Sequence, residues 1–140
     1  MEKDDLIIFC DGGARGNPGP AGIGVLITNS TGEEIGKISQ SIGDATNNQA
    51  EYKAVISSLK FLISCKIQAK SVLINLDSQL VYHQLLGTYR VKKGHLQNLL
   101  LEIKILEQQI KSPIHYRLVP REKNMAADIL VNQALDRAGY

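Results

Sequence analysis

The chain opens its regular structure with LIIFCD (residues 6–11), apolar until the final aspartate and followed by Gly-Gly. That pattern predicts a short buried strand ended by a turn. AGIGVLITN (21–29) predicts a second strand and NSTGEE (29–34) a turn, while EIGKISQSIG (34–43) alternates apolar and polar residues as a strand with one wet face does. Three strands joined by short turns imply an antiparallel meander. The period then lengthens. From Thr46 to about Cys65 the apolar residues Tyr52, Val55, Ile56, Leu59, Leu62 and Ile63 fall on one helical face. KSVLINLD (70–77) is apolar nearly throughout, as a central parallel strand would be. SQLVYHQLLG (78–87) predicts a short helix ended by Gly87, and HLQNLLLEIKILEQQI (95–110) a longer one that Pro113 keeps from continuing. SPIHYRLV (112–119) predicts a fifth strand, and Asn124 to Ala138 a last helix closed by Gly139.

The order βββ-α-β-α-α-β-α predicts an α/β fold: a five-stranded mixed sheet, its first three strands antiparallel, flanked by helices. With 140 residues and no internal repeat, low-complexity tract or linker, the chain is expected to be one free-standing domain over 1–140. The apolar runs are too short to cross a bilayer, and the start MEKDD is acidic rather than signal-like. No membrane partner and a cytoplasmic location are the expectations. Cys10 and Cys65 lie far apart without a CxxC or CxxH companion, which argues against zinc and a disulfide framework but leaves one bridge open.

Net charge is +2, yet residues 88–123 hold eight Lys/Arg against three Asp/Glu (+5), leaving eight against eleven (−3) elsewhere. Such a segment can contact phosphates, or it can be a solvated helix face.

Four acids stand at element ends, and each has an ordinary explanation. Asp11 can be a turn aspartate. Asn48-x-x-Glu51 can be a capping box. Asp77 or Ser78 can cap the following helix. Asp128 can favour a helix dipole. Their joint placement carries more. If the strands ending at Asp11 and Asp77 are parallel neighbours, both side chains emerge at one sheet edge, where ligands of open α/β sheets bind. Glu51 and Asp128 can reach that edge from helix starts. Four converging acids repel one another unless cations are bound, and an all-oxygen set suits Mg²⁺ or Mn²⁺. Paired ions of this kind serve in-line attack on phosphodiesters. The glycine-rich stretch DGGARGNPGPAGIG fits neither GxGxxG at the needed place nor GxxxxGK[ST], so a nucleotide-cradling loop is disfavoured.

CDGGARGNPGPAGIG, TNNQAEY, LDSQLV and REKNMAAD, in this order, resemble the successive signatures of type 1 ribonuclease H, with the resemblance running from Leu6 to about Leu135. It implies an endonuclease that hydrolyses the RNA strand of RNA–DNA hybrids and leaves 5′-phosphate and 3′-hydroxyl ends. The implied catalytic and metal-holding residues are Asp11, Glu51, Asp77 and Asp128. They would hold two Mg²⁺ ions, one activating water and the other stabilising the leaving 3′-oxygen. The implied substrate contacts are Gly12, Gly13, Asn17, Thr46, Asn47, Asn48, Gln79, Arg121 and Asn124. Gly12 and Gly13 lie where the family reads ribose 2′-hydroxyls. Many relatives carry a basic, tryptophan-rich insertion between the middle helices. Here GTYRVKKGH (87–95) fills that place and the chain has no Trp, so it resembles the compact forms, with Arg90, Lys92 and Lys93 as the remaining cations there. Many relatives also place a histidine before the last acid. VPREKNMAAD has none, and Arg121 and Lys123 are the nearest charged residues. His115 is expected to be structural, and His83 and His95 carry no acid–base signal. A noncatalytic module binding RNA–DNA hybrid or double-stranded RNA is the alternative, and a monomer the default.

Overall fold

The computed structural model describes residues 4–92 and 94–140. Strands β1 (Asp4–Ala14), β2 (Gly19–Asn29) and β3 (Glu34–Ala45) are followed by helix α1 (Asn47–Ser64), β4 (Ala69–Leu76), α2 (Gln79–Leu86), α3 (Gly94–Gln109), β5 (Ile114–Leu118), a 3-10 turn (Arg121–Lys123) and α4 (Met125–Arg137). The five strands form one sheet in the order β3-β2-β1-β4-β5. β2 is antiparallel to β1 and β3, whereas β4 is parallel to both β1 and β5. This is the mixed sheet that the strand and helix periods predict.

The two faces of the sheet are built differently. Leu6, Ile8 and Cys10 of β1, Ile23, Val25 and Ile27 of β2, and Val72, Ile74 and Leu76 of β4 form one buried cluster with Tyr52, Val55 and Leu59 of α1 and Ile103 of α3. On the other face α4 packs mainly over β2, with β3 and β1 beside it. Here the AGIG segment has a mechanical purpose. A Cβ on Gly24 would lie 2.2 Å from the Ala127 carbonyl oxygen, so only glycine lets α4 settle onto β2.

The helix ends correct one expectation and decide another that the sequence leaves open. The capping box of α1 is formed by Thr46 and Gln49, not by Asn48 and Glu51: the Gln49 amide donates to Thr46 Oγ1 at 3.1 Å, and the Thr46 amide donates to Gln49 Oε1 at 2.8 Å. Threonine and glutamine two residues upstream satisfy the orphan donors, which leaves Glu51 one turn deeper and free of the cap. At α2 the cap is Ser78, whose Oγ accepts from the Val81 amide at 3.2 Å, so Asp77 is free as well. Gly87 ends α2 at φ 82°, the left-handed conformation expected of a terminating glycine. No helix is long and apolar enough to cross a membrane among the described residues.

Candidate active site

Asp11 lies near the carboxyl end of β1 and Asp77 directly follows β4. Because β1 and β4 are parallel neighbours in register (Phe9 opposite Asn75), the two carboxylates leave the sheet at the same edge. Glu51 arrives from α1, and the reason it can do so is Gly12. A Cβ there would lie 2.2 Å from the Ala50 carbonyl carbon and 2.5 Å from the Glu51 nitrogen, all backbone that cannot give way. The bare glycine lets α1 touch β1 and sets Glu51 beside Asp11. Carboxylate oxygens of Asp11, Glu51 and Asp77 lie within 4.8 Å of one another. Asp128, in the first turn of α4, lines the same cleft of about 390 Å³ but stands outside that close grouping.

The electrostatics match the crowding. Burial raises the Asp11 carboxyl to about 7, and the charges of Asp77 and Asp128 push in the same direction. Burial, then the charge of Asp11, holds Glu51 well above the ordinary glutamate range, against a smaller opposing effect of the Gly12 backbone amide. Glu51 Oε2 is buried without a hydrogen-bond partner. Three oxygen donors, excess negative charge and an orphaned buried acceptor together fit a hard divalent cation, Mg²⁺ or Mn²⁺, better than a soft metal.

Asn124 is among the substrate contacts that the resemblance implies. It is wholly buried, and its Nδ2 donates to the Cys10 carbonyl at 2.8 Å and to Asp77 Oδ2 at 3.1 Å. Through these two bonds the side chain orients Asp77 against the end of β1, while its Oδ1 is buried without a hydrogen-bond partner. Although it precedes α4, it makes no side-chain cap bond there.

The other expected contact residues separate into groups. Gly12, Gly13, Asn47, Asn48 and Arg121 line the cleft. Asn47 and Asn17 also knit the β1–β2 loop to α1: the Ala14 amide donates to Asn47 Oδ1 at 2.8 Å, and the Asn47 amide donates to Asn17 Oδ1 at 2.9 Å. Thr46 is the cap just described. Gln79 is exposed at the start of α2 and does not line the cleft. None of His83, His95 and His115 lines it either; His83 Nδ1 instead pairs with Thr88 Oγ1 at 2.8 Å beyond α2. Cys10 is buried and Cys65 exposed, both as free thiols. Beside the cleft, and sharing Asn48 with it, is a groove of about 500 Å³ lined by Gln84, Tyr89, Arg90 and Lys92. Lys93 lies outside the described residues.

Two features escaped the sequence reading. Asn75, inside the apolar run VLINL, is wholly buried. Its Nδ2 donates to the Ile8 carbonyl at 3.1 Å and its Oδ1 accepts from Arg117 Nε at 2.7 Å, pinning β4 to β1 and β5 two residues before Asp77. A lone polar residue within such a run was the available signal. Arg15 and Asn132 also line the cleft, with no local pattern to mark them.

Comparison with known proteins agrees with this architecture. Residues 9–134 match the family model described as "Reverse transcriptase-like". The bifunctional protein Rv2228c of Mycobacterium tuberculosis is 40% identical over 134 residues, covering 95% of this chain and 36% of that protein. Ribonuclease HI of Halobacterium salinarum is 36% identical over 132 residues, covering 93% of this chain and 64% of that protein. The chain thus spans between about a third and two thirds of the length of these curated relatives. Among solved structures, LC11-RNase H1 in complex with RNA/DNA hybrid superposes with a TM-score of 0.90 at 42% identity, covering 95% of this chain and 98% of that one. Sequence, sheet order and the converging acids agree, and the chain belongs to the type 1 ribonuclease H family.

Proposed function

We propose that the protein is an endonuclease that hydrolyses the RNA strand of RNA–DNA hybrids and leaves 5′-phosphate and 3′-hydroxyl ends. The observation that carries this reading is the carboxylate grouping at the β1–β4 edge, with Glu51 Oε2 buried and unpartnered. The hybrid-bound structure of LC11-RNase H1, 42% identical, supports the substrate class.

Asp11, Glu51 and Asp77 would hold divalent cations, and Asp128 would add a fourth carboxylate from α4. Two Mg²⁺ or Mn²⁺ ions, when bound, supply Lewis-acid activation of the attacking water and charge stabilisation at the leaving 3′-oxygen. The chain's own residues do the rest. Asn124 holds Asp77 in line with the end of β1. Gly12 and Gly13 present backbone without side chains to the cleft, where a ribose 2′-hydroxyl can be read at close range. Arg121 offers a cation to the phosphates, and Arg90 and Lys92 extend positive charge into the adjoining groove.

The test is cleavage of end-labelled RNA–DNA hybrid with Mg²⁺ or Mn²⁺, beside EDTA controls, Asp77→Asn and an RNA–RNA duplex, with the product ends mapped. Wild type should cut the RNA strand only when metal is present, and Asp77→Asn should not. Hybrid binding by wild type without any cleavage would replace the enzyme reading with that of a noncatalytic binding module.

A further inference from the structure

The β1–β2 loop, which follows the bare backbone of Gly12 and Gly13, is fastened on two sides. On one side Asn47 of α1 accepts the Ala14 amide. On the other, Arg15 reaches across to α4. Its Nη1 lies 2.9 Å from Asp136 Oδ1 and also donates to the Tyr140 carbonyl, and its Nη2 donates to Asn132 Oδ1 at 3.2 Å. Asn132 Nδ2 in turn donates to the backbone carbonyl of Asp128 at 3.1 Å. The amide orientation follows from chemistry: the oxygen must face the guanidinium, which only donates, and the nitrogen must face the carbonyl, which only accepts. Arg15 and Asn132 both line the cleft.

A single pair as exposed as Arg15–Asp136 (side chains 36% and 67% exposed) contributes little to stability. Three convergent acceptors in a planar fork instead fix direction. Asn124 turns its side chain to Asp77 and leaves α4 without a side-chain cap, so the Asn132 bond to the Asp128 carbonyl is a local hold on that residue.

We propose that Arg15 is a positioning residue that links the strand-reading loop to Asp128 through Asn132, so that loop placement and completion of the carboxylate set are set together. This rests on the hybrid-nuclease reading for its consequence, though not for its structural content.

The experiment combines amide hydrogen exchange on the metal-free protein with Mg²⁺-dependent cleavage of labelled RNA–DNA hybrid, using Arg15→Ala, Arg15→Lys, Asn132→Ala and Arg137→Ala. In Arg15→Ala the amides of Gly13 and Ala14 and those of Asp128 and Asn132 should exchange faster together, by about tenfold. The same variant should need several-fold more Mg²⁺ for half-maximal cleavage and lose about tenfold in kcat, with KM for the hybrid nearly unchanged. Arg15→Lys keeps the charge but not the fork and should behave like Arg15→Ala, and Asn132→Ala should reproduce the Mg²⁺ effect. Arg137→Ala removes a different tie of α4, the Nη2 bond to the Ser39 carbonyl at 2.7 Å, and should leave the Mg²⁺ requirement alone. Three results would overturn the proposal: Arg137→Ala matching Arg15→Ala, exchange changing only in the loop, or Arg15→Lys behaving as wild type while Arg15→Ala raises KM and flattens its salt dependence. The last would make Arg15 a direct phosphate contact. If wild type cuts no hybrid, the nuclease reading fails while the exchange data still decide the coupling.

Discussion

Asp11→Asn should stabilise the metal-free protein near neutral pH while abolishing cleavage. The Asp11 carboxyl rises from 3.8 to about 7 on folding, chiefly through burial, so across this interval the folded state holds a proton that the unfolded chain has released. The unfolded state therefore binds fewer protons, and stability falls as pH rises. At about 1.4 kcal/mol per pH unit, the penalty begins near the unfolded value and reaches a ceiling of roughly 4 kcal/mol above pH 7. Glu51, raised for the same reason, adds to the trend in the same direction. Asparagine keeps the shape and cannot ionise. At pH 5 the penalty is only about 1.6 kcal/mol, so with relaxation of the site the variant should gain less than about 1 kcal/mol there. At pH 8 the variant should recover about half the ceiling, ~2 kcal/mol once relaxation is allowed for, which raises Tm by about 6–10 °C for a domain of this size. The assay is thermal unfolding in EDTA at both pH values, repeated with Mg²⁺. Added Mg²⁺ should raise the Tm of wild type far more than that of the variant, because binding to the folded state alone is stabilising. A variant less stable than wild type at pH 8 in EDTA, or one with the same dependence on pH, would refute the account of the site as a charge-strained metal cradle.

Other changes test the supporting structure. Gly12→Ala drives a Cβ to 2.2 Å from the Ala50 backbone and should cost about 3 kcal/mol in urea unfolding along with most activity, whereas Gly13→Ala, whose nearest neighbour is 3.9 Å away, should cost under about 0.5 kcal/mol. Asn124→Ala strips the Cys10 carbonyl and Asp77 of their shared donor; about 2 kcal/mol of stability and more than about tenfold in kcat should be lost, with KM little affected. Arg90→Ala with Lys92→Ala should weaken hybrid binding and lower the slope of log K against log salt by up to about 2, as two lost phosphate contacts require; an unchanged slope would remove that groove from the nucleic-acid surface.

Much of the fold was legible because its elements have distinct periods. LIIFC and VLINL read as buried strands, EIGKISQSIG as a half-wet strand, and each helix as one apolar face; all five strands and four helices lie where these patterns put them. Boundaries and caps were less legible. Asn48-x-x-Glu51 and Thr46-x-x-Gln49 both fit the capping pattern, and only the backbone path shows which pair closes. The short turn Arg121–Lys123 had no periodic signal at all.

At the site, chemistry-bearing residue types at element ends were enough to single out Asp11, Glu51, Asp77 and Asp128. Their convergence was not in the local pattern. It depends on β4 pairing in parallel with β1, a contact between segments some 66 residues apart, and on Gly12 admitting α1. The inward turn of Asn124, the burial of Asn75 and the reach of Arg15 to α4 are likewise decided by partners far along the chain. The sequence by itself determined which residues could bear charge and where strands and helices run, because propensity and periodicity are local. The tertiary structure alone decided which acids share a space too small for their charges, because burial and proximity arise only when distant segments pack.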